Sequence, residues 1–261
     1  MNLQFIKDCN LHYSLLLNLL CFALLTLSTM SAMAGAPFVT DDPEPVEAHH
    51  LEVNYALSKT WQNNASSASV PSVDFNYGLN SDIQLHAQPK YAYEREGEVK
   101  NYGVDNTEIG VKYRLFNSKS NSSSFMVGIY PMLQLPTGDE RLGDSRGKVQ
   151  WFLPLWMQYN KDNWTFYGGS GYRVNNSTDS KNSWFFGGTA LYQWTNNFKV
   201  GGELFRETAD TIGENSTSGF NLGSIYDFND DYHLLFSAGK GLSNISTTNK
   251  LTVYLALQVI Y

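Results

Sequence analysis

The C-terminal stretch alternates with a period of two. Leu251, Val253, Leu255, Leu257, Val259 and Tyr261 fall on one face, and Thr252, Tyr254, Ala256 and Gln258 fall mostly on the other. An extended strand repeats every two residues, so this spacing predicts a strand with one apolar face. Residues 108–115 repeat the pattern with charge: Ile109, Val111, Tyr113 and Leu115 alternate with Glu108, Gly110, Lys112 and Arg114. Lipid rejects the second set and water the first. A closed barrel in a membrane satisfies both, with the charges turned to a lumen. About twelve such segments follow one another, as an even-stranded bacterial barrel requires. They begin near His50, Ser72, Ile83, Thr107, Phe125, Val149, Trp164, Trp184, Phe198, Gly219, Tyr232 and Lys250. Each is roughly nine to thirteen residues long, enough for a tilted strand to cross a bilayer. The expected fold is all-β: a transmembrane antiparallel up-and-down β-barrel of about twelve strands, preceded by a cleaved signal peptide.

Residues 1–34 are read as that signal. Lys7 precedes an apolar core over residues 15–27, and Ala32-Met33-Ala34 supplies the small-x-small cleavage pattern, giving a mature start at Gly35. Residues 35–48 are acidic and proline-rich with no strand pattern, and read as either a periplasmic N-terminal segment or a plug. Residues 49–261 form the barrel. Both cysteines, Cys9 and Cys21, lie in the signal, so the mature chain has no disulfide. The net charge of −7 argues against nucleic acid as a partner. The negative mean hydropathy is compatible with a barrel, where alternation hides the lipid face.

Connections offer a second test, because inner turns should be short and outer loops long. Compact turn chemistry occurs at residues 79–82, 160–163, 195–197 and 229–231, with a longer connection expected at 117–124. Outer loops are expected at 62–70, 95–106, 136–148, 175–182, 207–217 and 243–249. Tyr55, Tyr91, Tyr93, Tyr113, Trp151, Tyr159, Trp164, Trp184, Trp194 and Tyr261 fall near strand ends on the outward register, where interfacial girdles sit.

The opening Ala36-Pro37-Phe38-Val39-Thr40-Asp41-Asp42-Pro43-Glu44-Pro45, followed by His49-His50-Leu51-Glu52-Val53, resembles the start of the outer-membrane family named for the MetA pathway of phenol degradation. Leu135-Pro136-Thr137-Gly138-Asp139 and Gly168-Gly169-Ser170-Gly171-Tyr172-Arg173-Val174-Asn175 are also similar to it. The resemblance implies a transporter-like barrel passing small hydrophobic or aromatic compounds.

On the inward register the lumen-lining candidates are Lys90, Glu108, Lys112, Arg114, Tyr130, Trp156, Tyr167, Arg173, Phe185, Lys199 and Glu203. Glu52, Asp74 and Glu94 add acids, so the signs nearly cancel and pairing across the lumen is expected rather than a ring of one charge. Met126, Met132, Phe152, Leu191 and Phe205 join the apolar inward set. Two readings stand: a greasy lining for apolar solutes, or side chains that plug a small barrel. Pro89, Pro131 and Pro154 are expected to bring bulges that swap the register locally.

An enzymatic barrel is the other class to weigh. Phe205-Arg206-Glu207-Thr208 resembles a stretch of outer-membrane phospholipase, but none of His49, His50, His86 or His233 is followed two residues later by the serine that such chemistry uses. Asp231-Tyr232-His233 has acid and imidazole for a rim protease, on a predicted inner turn rather than the outer rim. His49-His50 near Asp41, Asp42 and Glu47 matches no strong metal-ligand spacing, and no cofactor is implied. The expectation is a monomeric channel or transporter for small, apolar or aromatic compounds. Its partners would be outer-membrane lipid and lipopolysaccharide, a small-molecule solute and the outer-membrane insertion machinery. A lipid-acting barrel enzyme and a structural or adhesive outer-membrane protein are the alternatives.

Overall fold

The computed structural model describes residues 35–139, 141–142, 148–176, 180–245 and 249–261. The expected signal peptide, residues 1–34, lies outside them. Twelve antiparallel strands close into one barrel, and no helix occurs among the described residues. In chain order they are β1 (Leu51–Trp61), β2 (Ala65–Gly78), β3 (Ile83–Gln88 continued by Lys90–Glu96), β4 (Val99–Val104 continued by Thr107–Lys119), β5 (Ser123–Ile129 continued by Met132–Leu135) and β6 (Gln150–Lys161). They continue as β7 (Trp164–Val174), β8 (Ser183–Thr195), β9 (Phe198–Glu207), β10 (Thr217–Asp227), β11 (Tyr232–Ser243) and β12 (Leu251–Ile260). Each strand pairs with its chain neighbour, and β12 returns to β1 from Glu52↔Ile260 to Trp61↔Leu251. Both ends of the barrel therefore sit at one rim, the inner rim, joined by Leu51 N–H to Tyr261 O at 3.1 Å.

Alternation sets the wall. On β6 Pro154, Trp156 and Gln158 are buried, while Leu153, Leu155, Met157 and Tyr159 are 38–47 % exposed. Large apolar side chains open to solvent at this level mark a surface that lipid covers. Val53 and Val259, paired across the β1–β12 seam, are outward by parity yet buried.

Two expected outer loops prove to be strand. β2 begins at Ala65 rather than near Ser72, and β4 at Val99 rather than Thr107, which shortens those loops to residues 62–64 and 97–98. The serine-rich 65–69 stretch has no apolar outward face to advertise its alternation. The bulge also lies elsewhere than expected. β2 shifts register between Ser69 and Ser72, around Val70-Pro71. A second shift, at Leu115 on β4, leaves Leu115 and Phe116 both exposed. At Pro89 and Pro131 the ladder breaks but the parity does not change: Lys90 remains opposite Ser72, and Met132 opposite Gly110 and Phe152. Pro154 sits within an unbroken β6, opposite Gly171, and its carbonyl accepts the Tyr130 N–H at 3.3 Å. The connection expected to be long at 117–124 is a turn over 120–122.

Candidate functional site

The interior divides by height. Its inner half holds residues 35–48, which enter at the rim where β1 begins and are bonded to the wall at successive levels. Val46 N–H donates to Gln84 Oε1 at 2.9 Å, and Gln158 Nε2 donates to Glu44 Oε2 at 2.8 Å. Lys112 Nζ lies 3.0 Å from Asp41 Oδ1 and 3.5 Å from Asp42 Oδ1. The Glu203 carboxylate accepts Val39 N–H at 3.0 Å and Thr40 N–H at 2.8 Å, and also takes the Asn221 amide. Ser237 Oγ donates to Pro37 O at 2.6 Å, and Tyr167 OH to Gly35 O at 3.4 Å. Phe38 packs on an apolar cluster that includes Tyr167, Leu191, Ile225 and Leu235.

Within the segment, the Asp42 carboxylate accepts Gly35 N–H and Glu44 N–H, which coils the chain around it. Burial raises the Asp42 carboxyl to about 6 against the pull of Lys112, and neighbouring Asp41 and Glu44 add to the rise. Burial raises Glu44 too, opposed by its bond from Gln158. Asp41, Asp42 and Glu44 are thus inside the barrel, while Glu47, His49 and His50 are exposed. No group of His, Cys, Asp and Glu suited to a metal occurs among the described residues.

Above the segment the lumen has two unlike walls. One is aromatic. Trp156 and Phe185 meet edge to face at 6.1 Å, Phe152 stands 6.3 Å from Phe185, and Phe205 is stacked on Phe185 at 6.4 Å. Tyr130 completes the buried cluster and Met132 packs against it. Phe152 lies directly over Gly171, where any side chain would collide with the ring. The other wall, on β1 to β5, is polar: Ser58, Ser67, Ser69, Lys90, Asp105 and Gln134 line a cavity of about 200 Å³.

All eleven sequence-predicted lumen residues point inward by strand parity. Lys112, Tyr130, Trp156, Tyr167, Phe185 and Glu203 are buried. Lys90, Glu108, Arg114, Arg173 and Lys199 are half-buried. Charge pairing is more local than a cross-lumen scheme. Lys90 pairs with Asp105 at 3.4 Å on the adjoining strand, and Arg114 with Asp82 of the β2–β3 turn at 3.0 Å. Arg173 reaches Glu207 at 3.3 Å and covers the Phe152 ring. Lys112 and Glu203 alone of the eleven hold the N-terminal segment through charge. Sequence reasoning missed Gln84, Gln158, Asn221 and Ser237, whose only signal is polarity at inward positions. It also missed His86, held between Asp74 at 2.9 Å and Glu108 at 3.5 Å with Tyr130 edge-on.

Solved structures share this architecture. The COG4313 outer membrane channel from Pseudomonas putida F1 superposes with a TM-score of 0.60 at 15% identity, covering 84% of this chain and 98% of that one. KdgM porin (TM-score 0.52, 10% identity) and NanC porin (0.51, 8%) each cover 80% of this chain and 98% of their own. At such identities the likeness shows the fold: an outer-membrane barrel. No functionally curated protein sequence matches the chain. A family model does, over residues 59–252, and the chain belongs to the family it describes, "Putative MetA-pathway of phenol degradation".

Proposed function

We propose that this barrel is an outer-membrane channel for small apolar or aromatic compounds, with residues 35–48 serving as a plug in its inner half. The observation that carries the reading is the buried Tyr130–Trp156–Phe185 cluster, extended by Phe152 and Phe205, on the lumen side of the wall. Aromatic rings facing inward give an apolar solute a surface to leave water for, at roughly 25 cal/mol per Å² buried. A general water-filled porin has no need of such an apolar lining. On this reading the barrel works as a monomer among outer-membrane lipid and lipopolysaccharide, placed there by insertion machinery that reads the alternating β12.

Uptake into liposomes tests it. Wild-type protein should carry toluene-sized aromatics faster than monosaccharides, and a Trp156→Ala/Phe185→Ala double variant should lose most of that preference, several-fold in relative rate. Equal rates for both solute classes, or no aromatic uptake above empty liposomes, would sink the proposal.

A further inference from the structure

The outer wall carries a trench that the lumen does not explain. Outward positions on β7, β8 and β9 are occupied by Gly168, Gly188, Ala190 and Gly202, with Tyr159 and Phe166 rising on one side and Leu204 and Leu222 on the other. The concavity is apolar and measures about 690 Å³. A Cβ added at Gly188 meets nothing within 4 Å, so its floor lies open to the outside.

Two cations stand at its outer end. Phe220, part of the trench, pairs with Leu204 on one side and Lys240 on the other. Arg206 is the next outward residue above Leu204, and both Arg206 and Lys240 are exposed. Arg206 Nη1 donates to Ser218 Oγ at 3.2 Å, which holds it along the wall. The outward register of β9, β10 and β11 contains no acid, in a chain whose net charge is −7. Hydrocarbon below and positive charge at the headgroup level match two parts of one molecule.

We propose that the trench and the Arg206–Lys240 pair form a binding site for a phosphorylated, acylated lipid of the outer leaflet, its acyl chain over Gly188 and its phosphate at the two cations. Arg206 supplies planar donors to phosphate oxygens, and Lys240 a point charge. The glycines admit a chain where side chains elsewhere on the wall would exclude it. This site is independent of what passes through the lumen.

Native mass spectrometry of the delipidated full-length barrel, titrated with purified lipid A, tests the assignment. Lipid A should bind about tenfold more tightly than either dephosphorylated or de-acylated lipid A. Arg206→Gln/Lys240→Gln should lower lipid A binding to the dephosphorylated level, and Gly188→Phe should weaken it comparably by filling the trench. Lys59→Gln, which removes an outward cation on β1, should change nothing. Heat-modifiable migration on gels checks that each variant is folded; if Gly188→Phe fails that check, the double variant decides. Equal affinity for the dephosphorylated lipid, or wild-type affinity in the double variant, overturns the site.

Discussion

Lys112 on β4 and Glu203 on β9 stand on nearly opposite walls, and both direct their charge at the same short segment. Their bonds are buried and charge-assisted, and hydrogen bonds of that kind contribute about 1.5–3 kcal/mol each. Glu203→Gln keeps the shape but leaves two backbone N–H groups facing a neutral amide. Lys112→Met is harsher, since it strands Asp41 and Asp42; breaking a buried pair from one side costs about 3–5 kcal/mol. Single-channel recordings should show more frequent openings in both variants, with Lys112→Met the larger, by tenfold or more over wild type. Unchanged traces would mean that the segment is held by packing alone. Acidity should act through Asp42. Free in water its carboxyl has a pKa of 3.8, and inside the barrel burial lifts this to about 6. The docked form therefore holds its proton more tightly. Its contribution to docking is full below about 3.8 and lost as pH rises through about 6, and Glu44 acts in the same direction. Openings should thus be rarer at pH 4.5 than at pH 7.5, and Asp42→Asn should flatten that dependence.

Among the elements, the strands are largely legible in the sequence and the segment is not. β6 and β12 declare themselves because every second residue is large and apolar, and the inward candidates follow by parity alone. The start of β2 escapes a sequence reading for want of contrast, and that of β4 because one residue is inserted between Val104 and Thr107, where the pairing with β3 steps from Tyr91↔Val104 to Gln88↔Glu108. Residues 65–69 of β2 are only serine and alanine, too alike in size and polarity for an alternation to show. The prolines mislead for a different reason: a missing N–H opens the ladder at Pro89 and Pro131, but only an inserted residue, as around Pro71, moves the register. Residues 35–48 have no period to read. Their place depends on single partners scattered over β3, β4, β6, β9 and β11, which are brought together only when the sheet closes. Deleting residues 35–46 should leave heat-modifiable migration intact, because the wall hydrogen-bonds without them. The same deletion should raise conductance several-fold in planar bilayers. A deletion that fails to insert would instead make the segment part of the folding core.

For the whole molecule, closure is what reconciles an apolar exterior with a charged interior. With β12 returned to β1, no strand edge meets lipid. The family match over residues 59–252 spans this wall and takes in two of the stretches whose resemblance is visible in the sequence, at 135–139 and 168–175; the opening stretch at 36–53 lies outside it. Architecture is thus the readable part, while the depth at which each inward side chain sits depends on closure of the whole sheet: residues 35–48 occupy the inner half and the aromatic cluster lies above them. The short connection at the inner rim carries a further meaning. His49 N–H bonds to Gly78 O at 2.7 Å and Gly78 N–H to His50 O at 3.0 Å, so the segment is pinned to β2 just before it enters the lumen. A flexibly tethered group experiences an effective concentration in the millimolar range. On the proposed plug reading, closing the pore is therefore a first-order event that no dilution weakens. One backbone cut at residue 48 would turn it into an ordinary encounter between two molecules.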